Sequence, residues 1–538
     1  MTSQFRHRFP ILSQQVNGMP LVYFDNAATS QRLDEVISAT QSYYETINAN
    51  VHRSSHALSA QATSLYEGCR TDIAQWIGAD KNEVVFTSGT TDAINLVATC
   101  VAKAFIQAGD EILISVSEHH ANIVPWQLVC EQYGATLRVV DIDNQGRIDI
   151  AHFKQLLSNQ TKLVAVSQLS NVVGKFNDVA TLVRLAKEQG ALTLIDGAQA
   201  IAHTALNVKS LDSDFYVFSA HKLYGPTGLG VLYGRAAVLE KLPPYKSGGE
   251  MIKKVSLKTG TTFNEAPSKF EAGTPNIAGV IAFARALNFI RKHHQDIAQI
   301  ESDLTDYMWQ ALSNIEQVAC LFEGKPDIPL FSFQIAGEHI KDIATALDAK
   351  GIAIRAGHHC AMPLMEYKQC SGSLRVSLAP YNTRAEVDYF VDALAQILSG
   401  EQHQVEPSLS IVSEFEQAKG WDQKHRLIML YGRDFERMSR EYRLPQNLIE
   451  GCESQAWLTM SEQNGSINLQ GDSDARIIRG LMHIVFQAYQ GKSAEQIAEF
   501  DEQAYFEQLG ILQHLSPSRG NGLKAIVEKI KTRANELA

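Results

Sequence analysis

Lys222 stands where an apolar segment of the sequence gives way to a turn broken by glycines. Residues 215–230 read FYVFSAHKLYGPTGLG, and the apolar run is predicted to form a buried strand that ends at Ser219. A lysine amine at such a place can form a Schiff base if burial or nearby positive charge lowers its pKa. A solvated loop lysine is the alternative, because lysine is almost never fully buried without a partner. The choice between these two interpretations depends on which other residues the sequence contains.

Two groups of polar residues have the composition of a phosphate site. Residues 88–95 (SGTTDAIN) follow the strand-like run EVVFTS and begin a predicted helix. The hydroxyls of Thr90 and Thr91, free backbone N–H groups and the positive end of the helix dipole can bind an anion there. A plain helix N-cap is the alternative. Ser219 and His221, beside the lysine, offer further donors suited to a phosphate.

An acid and a histidine follow two other strand-like runs. Asp196 ends the run LTLID and is followed by Gln199, and His119 comes after EILISVSE. The carboxylate can cap a helix or pair with a protonated ring nitrogen, and the histidine is either a solvated loop residue or a catalyst. A lysine, an acid for the pyridine nitrogen and a phosphate anchor are the groups that pyridoxal phosphate needs. Their joint order along the chain favours that cofactor.

A thiol flanked by histidines occurs later in the chain. Residues 355–362 read RAGHHCAM, in which Cys360 follows two histidines and Arg355 lies five residues before it. This setting is typical of a cysteine with a lowered thiol pKa on a mobile loop. A buried filler cysteine and a metal site are the alternatives, although adjacent His-His-Cys side chains diverge too much for tetrahedral ligation.

The elements that must position these residues follow an α/β pattern. From about residue 60, the runs EVVFTS, EILISV, TLRVVD, LVAVSQLS, LTLID and FYVFSA occur, and helical segments lie between several of them. The pattern predicts a mainly parallel sheet flanked by helices. Ligands bind beyond the carboxyl ends of such strands. Because the polar residues above come directly after these runs, we expect them to surround one site.

The pattern changes in the second half of the chain. Long helical segments with the strands LFSFQIA and SLRVSLA predict a smaller α+β lobe, so that a domain of residues 1–400 has a large lobe at about 20–275 and a small lobe from 1–19 and 276–400. Residues 401–410 are polar, contain a proline and are predicted to be a linker. Helical segments with the strand pair AWLTM and SINLQG predict a further α+β domain at 411–538.

Length, charge and composition exclude several classes of protein. A chain of 538 residues exceeds what one core supports, and a net charge of −11 argues against a nucleic-acid partner. No run of about 18 uncharged apolar residues predicts a membrane span. The N-terminus lacks the apolar core of a signal peptide. Seven cysteines without a CxxC pair indicate reduced thiols and a cytoplasmic location, and they argue against structural zinc.

Residues 8–400 resemble the class V aminotransferase-like cysteine desulfurases of fold type I, and more narrowly the SufS type. The resemblance lies in FTSGTTDAINLVA, SEHHANIVPWQ, LIDGAQA, FYVFSAHKLYGPTGLGVLYG, KFEAGTPN and RAGHHCAMPLM. It implies that Lys222 forms the Schiff base with pyridoxal phosphate, that Asp196 pairs with the pyridinium and that His119 stacks on the ring and moves protons. It also implies that Gln199 contacts the phenolic oxygen. The phosphate would be held by Thr90, Thr91, Ser219, His221 and, from the neighbouring subunit of a homodimer, Thr274.

The same resemblance implies the reaction. Asn171 and Arg375, together with Arg355, would bind the carboxylate of L-cysteine, which suits a bidentate guanidinium. Cys360 would take the sulfur as a persulfide and release L-alanine. A selenocysteine lyase or another pyridoxal phosphate lyase or aminotransferase of the same fold is the nearest alternative. A sulfur-trafficking scaffold whose first half has lost its activity is a more distant one.

The C-terminal domain resembles SufE, a sulfur acceptor. The matching stretches are WDQKHRLIMLYGRDF, GCESQAW, LQGDSDARIIRGL and LSPSRGNGL. The resemblance implies that Cys452 accepts the sulfur and that a Suf-type iron–sulfur scaffold receives it next; a small buried thiol is the alternative for Cys452. Fusion would raise the effective concentration of the acceptor thiol.

Overall fold

The computed structural model describes residues 4–53, 55–399, 411–418, 420–451, 454–463 and 465–537. The predicted linker 401–410 and Cys452 lie outside the described residues. By packing, the chain divides into two compact units. Unit 1 comprises residues 1–15, 20–336 and 352–392, and unit 2 comprises residues 16–19, 337–351 and 393–538.

Unit 1 is built on a sheet that has seven strands among the described residues. All neighbouring strands are parallel except Gly230–Gly234, which runs antiparallel to both of its neighbours. Apolar residues on both faces bury most of these strands, as expected where helices cover both sides. The spatial order is Val84–Thr87, Gly230–Gly234, Phe215–Ser219, Leu192–Asp196, Thr161–Ser167, Glu111–Ser115 and Thr136–Val140.

Helices of unit 1 cover this sheet and extend from it. The longest, Ile277–Ser313, has non-helical backbone angles at His293, where it kinks. A hairpin of Ile252–Ser256 and Gly260–Phe263 stands apart from the sheet, and Val22–Tyr23 pairs with Ile352–Ala353. The other helices are Asp34–Thr46, Ala57–Ile77, Thr90–Phe105, Val124–Tyr133, Ile150–Leu156, Val179–Glu188, Val208–Leu211 and Ala236–Lys241.

A smaller antiparallel sheet carries Arg355 and Arg375, the two arginines predicted to bind the substrate. Its strands, in spatial order, are Val318–Cys320, Leu330–Ile335, Ser373–Ser377 and Arg355–Gly357. The register of the last pair places Arg355 directly opposite Arg375. The short helix Met362–Tyr367 follows the strand that carries Arg355, and Arg384–Ser399 begins in unit 1 and ends in unit 2.

Unit 2 has its own apolar core, in which an antiparallel hairpin packs against helices. Two helices approach unusually closely, because a Cβ atom on Gly480 would lie 1.9 Å from the carbonyl oxygen of Ile428, and one on Gly432 would lie 2.0 Å from that of Arg476. The elements are Ile340–Asp348, Ile411–Gln417, Trp421–Asp434, Ala456–Gln463, Ser466–Ser473, Arg476–Tyr489, Ala494–Ala498, Glu502–Leu509 and Pro517–Leu537.

The predicted fold class is confirmed, with the strands in the expected runs. The packing units differ from the domains predicted from the sequence, because residues 337–351 pack with the C-terminal part of the chain. Within unit 2, the carboxylate of Asp342 accepts hydrogen bonds from the backbone N–H groups of Arg476 and Ile477, at 2.7 and 3.3 Å, and so caps the helix Arg476–Tyr489. No helix among the described residues is long and apolar enough to cross a membrane.

Candidate active site

A cavity of about 260 Å³ in unit 1 collects most of the residues predicted to carry chemistry. It lies at the carboxyl ends of the parallel strands, where the topology of the sheet requires a ligand site. Thr274 is exposed and does not belong to the residues that line it. The predicted residues that do line it are Thr90, Thr91, His119, Asn171, Asp196, Gln199, Ser219, His221, Lys222, Arg355, Cys360 and Arg375.

Lys222 is positioned by the end of a buried strand. The strand Phe215–Ser219 gives way to the 3-10 turn Ala220–Lys222, which carries the amine into the cavity. Burial, opposed by the charge of Asp196 and assisted by that of Arg375, lowers the pKa of Lys222 from 10.5 to about 8. The amine is therefore half uncharged near pH 8, well below the usual range of a lysine, as a nucleophilic lysine requires.

The residues predicted to bind a phosphate meet where a helix begins next to the lysine strand. The backbone N–H of Thr90 donates to Ser219 Oγ at 2.7 Å, and the two hydroxyl oxygens also lie 2.7 Å apart. Gly230 lies between these segments, and a Cβ atom there would come within 2.5 Å of the backbone of Gly89. The absence of a side chain at Gly230 thus lets the start of the helix Thr90–Phe105 pack directly against the lysine strand, which places Thr90 and Ser219 together at the cavity.

The acid of the cavity is buried and the histidine is half-buried. Asp196 ends its strand, Oδ1 accepts from the N–H of Ala198 at 2.9 Å, and burial raises the pKa of its carboxyl. His119 Nδ1 accepts from the N–H of Ala121 at 3.0 Å. Burial, followed by the charge of Lys222, lowers the pKa of His119 to about 4, so the ring is neutral at physiological pH.

Two other predicted cofactor residues contact one loop near the N-terminus. Gln199 Nε2 donates to the carbonyl of Ala27 at 2.7 Å, and His221 Nδ1 lies 3.1 Å from Thr29 Oγ1. Burial lowers the pKa of His221 to about 4, so this ring is also neutral. The loop at residues 27–29 therefore contacts Gln199 in the cavity wall and also the turn that carries Lys222.

The cysteine loop has an unusual backbone. His359 and Cys360 have φ angles of 53° and 57°, a left-handed conformation that costs free energy for residues other than glycine. Asn171 Nδ2 donates to the carbonyl of His359 at 2.7 Å, and His359 Nε2 lies 2.9 Å from Ser373 Oγ. The side chain of Cys360 stays exposed at the cavity wall, where a thiol can meet both a substrate and an acceptor.

Asp25 joins the two arginines of the cavity. Arg375 Nη2 donates to Asp25 at 3.0 Å, and Arg355 makes a bidentate pair with the same carboxylate at 3.0 to 3.2 Å. Arg375 Nη1 donates to the carbonyl of Asn171 at 3.1 Å. Arg375 Nε is buried and, among the described residues, has no hydrogen-bond partner. A buried donor in this state fits a ligand carboxylate.

Four residues that contact the predicted site residues or their neighbours were missed in the sequence. Asp25 and Thr29 lie in the polar stretch FDNAATS, and His120 follows the predicted histidine directly. Glu118 is fully buried and accepts from Ser115 Oγ at 2.6 Å and from the N–H of Ser167 at 3.0 Å. The one available signal was the position of Glu118 and His120 at the end of a predicted strand, beside His119.

The residues of the cavity fit pyridoxal phosphate. They supply a lysine with a lowered pKa, a buried acid at a neighbouring strand end, neutral histidines and a hydroxyl-lined helix N-terminus for a phosphate. Each of these groups meets one requirement of the cofactor.

A mostly parallel seven-stranded sheet with a lysine and an acid at its carboxyl edge defines the fold of the class V aminotransferases. The chain belongs to this family: the aminotransferase class-V description matches residues 22–390. A second family, described as the Fe-S metabolism associated domain (SufE), matches residues 409–534. Both family resemblances seen in the sequence are thus confirmed.

Curated relatives and solved structures agree with this assignment. The chain is 48% identical over 393 residues to a probable cysteine desulfurase of Vibrio cholerae serotype O1, covering 72% of this chain and 96% of the relative. The cysteine desulfurase CsdA of Escherichia coli, solved in an S-sulfonic acid form, has 41% identity and a TM-score of 0.68, with 74% of this chain and 98% of CsdA covered. The apo cysteine desulfurase of Thermococcus onnurineus NA1 has 36% identity and a TM-score of 0.68, with 73% and 98% covered.

Proposed function

We propose that this chain is a pyridoxal phosphate-dependent cysteine desulfurase that passes sulfur to its own SufE-like domain. The proposal rests on one observation: a single cavity holds a lysine of lowered pKa, a buried acid, an arginine with an unused donor and an exposed thiol. The thiol distinguishes this set from that of a plain aminotransferase. The SufE match at residues 409–534 supports the second half of the proposal.

The cofactor would be held by groups already in place. Lys222 would bind its aldehyde carbon, Asp196 its ring nitrogen and Gln199 its phenolic oxygen. When bound, pyridoxal phosphate supplies an electron sink for the substrate's α-carbon. Its phosphate would lie among Thr90, Thr91, Ser219 and His221, with Thr274 of a second subunit completing the site in a homodimer.

Lys222, Asn171 and the arginines then act on the amino acid. Arg375 binds the carboxylate of L-cysteine through its free Nε donor, supported by Arg355 and by Asn171, which also fixes the loop that carries Cys360. Lys222, uncharged above pH 8 or so, takes the α-proton. His119, whose ring is neutral, can accept a proton and return it at the cavity wall.

Cys360 removes the sulfur. Its thiolate attacks the substrate sulfur, a sulfur–sulfur bond forms and the bond from sulfur to the β-carbon breaks, with the bonding pair going to carbon. The carbon takes up a proton, so that L-cysteine and the thiol yield L-alanine and a persulfide on Cys360. Atoms and electrons balance without an external oxidant.

The fused domain would receive the terminal sulfur. Cys452 would attack the Cys360 persulfide and carry the sulfur to a Suf-type iron–sulfur scaffold. The tether raises the effective thiol concentration, whether Cys452 acts within its own chain or across a dimer. Reduced thiols of this kind require a reducing compartment, so we place the protein in the cytoplasm.

The test of this function is Cys360→Ala in the full chain loaded with cofactor. We expect the variant to keep the yellow colour of the lysine-bound cofactor and to respond spectrally to L-cysteine, but to form no persulfide. Cys320→Ala, which removes another exposed cysteine, is the matched control and should behave like the parent protein. Full sulfide production by Cys360→Ala would contradict the proposal. Running L-selenocysteine in the same assay separates desulfurase from selenocysteine lyase activity.

A further inference from the structure

Asp25 is the carboxylate shared by both arginines of the cavity. It accepts from Arg375 Nη2 at 3.0 Å and from Arg355 Nη2 at 3.0 Å, through different oxygens. Arg355 and Arg375 lie directly opposite each other on neighbouring antiparallel strands. Like charges at such positions repel, so the pair depends on an anion between them.

The two guanidinium groups use their donors differently. Arg355 directs Nε and Nη2 at Asp25, at 3.0 to 3.2 Å, so this edge is occupied by a bidentate pair. Arg375 gives Nη2 to Asp25 and Nη1 to the carbonyl of Asn171. Its Nε is buried and has no partner in the described part of the chain, although the side chain lines the cavity. Arg375 is therefore the arginine whose spare donor is buried and needs a ligand to satisfy it.

The net charge of Arg355, Arg375 and Asp25 also limits which ligand fits. Two guanidinium groups and one carboxylate leave a surplus of one positive charge beside a buried cavity. Arg375 has 2%, Asp25 17% and Arg355 42% of its side chain exposed, so solvent screens the charge of Arg375 much less than that of Arg355. A ligand with one carboxylate neutralises it, whereas a doubly charged anion overcompensates.

We propose that Asp25 is a positioning residue that sets the specificity of the site for amino acids with a single carboxylate. It engages the Nε edge of Arg355, orients Arg375 so that Nε faces the ligand, and reduces the charge of the arginine pair to one. The inference rests on the proposed function in assigning cysteine as the amino acid.

The experiment compares Asp25→Asn with the parent holoenzyme. The variant keeps the shape of the side chain but removes its charge, so the site carries two positive charges. We expect the KM for L-cysteine to rise about tenfold with little change in kcat, because a mispositioned guanidinium loses charge-assisted hydrogen bonds to the carboxylate. Sulfate should become a stronger competitor of cysteine. It should also raise the thermal midpoint of Asp25→Asn more than that of the parent, at matched ionic strength.

Asp303→Asn is the matched control, since it removes an arginine ion pair, with Arg384, between exposed side chains. It should leave KM and the sulfate response at parent values. If Asp25→Asn shows the same KM and sulfate response as this control, the proposal is wrong. The sulfate-dependent midpoint does not require desulfurase activity, so it tests Asp25 even if cysteine proves not to be the substrate.

Asp25→Glu covers the case in which Asp25→Asn does not fold. The longer acid keeps the charge but displaces the carboxylate, so we expect a parent-like sulfate response with a raised KM. A parent-like KM in Asp25→Glu would contradict the positioning role.

Discussion

His120 holds the backbone of the loop at Cys360. Its N–H donates to the carbonyl of Cys360 at 2.8 Å, and its ring Nε2 accepts from the N–H of Met362 at 2.9 Å. An accepting nitrogen must be unprotonated, and burial, together with the charge of His358, lowers the pKa of His120. The backbone N–H and the neutral ring of His120 therefore fix the backbone at the exposed thiol and just after it.

Removing this ring should loosen the loop without touching the cofactor. We expect His120→Ala to slow persulfide formation on Cys360 about tenfold, the effect of losing roughly one net hydrogen bond that positions a nucleophile. Rapid-quench measurement of the persulfide checks this, and the cofactor spectrum should stay unchanged. His294→Ala, at an exposed helix position, is the control. Equal persulfide rates in both variants would contradict the role of the ring.

Uptake of pyridoxal phosphate by the apo-protein should depend on pH through Lys222. The pKa of this amine is lowered to about 8 from 10.5, and only the uncharged form attacks an aldehyde. The rate should therefore rise as pH increases through about 8 and level off above it. Because the charge of Arg375 contributes to the shift, Arg375→Gln should move the midpoint to higher pH. A rate independent of pH between 7 and 9 would contradict this assignment.

Glu118 should make the stability of unit 1 depend on pH. Burial raises the pKa of Glu118 to about 7 from 4.5, so the folded state binds more protons than the unfolded state between these values. The stability contribution of the protonated form is complete below pH 4.5 and is lost as pH rises through 7, by about 3 kcal/mol in total. Glu118→Gln should flatten the decline in denaturant midpoint across this window.

The control for Glu118 is Glu45→Gln, at an exposed position on the helix Asp34–Thr46. It should reproduce the parent pH profile. A decline of the same size in Glu118→Gln and the parent would show that another group binds the proton.

The helix contact of unit 2 should tolerate no side chain at Gly480. A Cβ atom there would lie 1.9 Å from the carbonyl oxygen of Ile428, so Gly480→Ala should force the helices apart and cost about 1 to 3 kcal/mol. Gly520→Ala, in the helix Pro517–Leu537, meets no atom within 4 Å and should be neutral or stabilising. The thermal unfolding midpoints of the two full-length variants measure the difference. Equal midpoints would contradict the close approach.

Cys452 should matter only when no other thiol takes the sulfur. We expect Cys452→Ser to turn over more slowly than the parent without a strong reductant, because the persulfide on Cys360 then has no acceptor in the chain. Dithiothreitol should restore the rate by taking the sulfur itself. Sulfide and alanine assays with and without it measure the effect, with Cys320→Ser as control. Equal turnover without reductant would contradict the transfer step.

The sequence was enough to predict the sheet and most of the residues that line the cavity, for one physical reason. Parallel strands place their carboxyl ends at one edge, so residues that directly follow strand-like runs, such as Thr90, His119, Asp196 and Lys222, had to converge. The neighbours of Cys360 marked it as a candidate reactive thiol, and the family resemblance implied its role. These predictions needed only local pattern and a rule of topology.

Residues that act through long-range contacts could not be found in this way. Asp25 meets Arg355 across 330 positions of the chain, and no periodicity or spacing links them. The packing of residues 337–351 with the C-terminal part is equally invisible, because the capping carboxylate of Asp342 serves a helix that begins at Arg476. The roles of Asn171 and Arg375 in binding substrate stay predictions, as does that of Thr274.

The left-handed backbone at His359 and Cys360 has a consequence for protein engineering. Glycine adopts such angles at no steric cost, so a laboratory selection for heat resistance alone would favour glycine at the exposed position 360. At 359 the buried ring bonded to Ser373 opposes the same exchange. Glycine at 360 would delete the proposed sulfur carrier, so selection for stability and selection for activity favour different residues at this position.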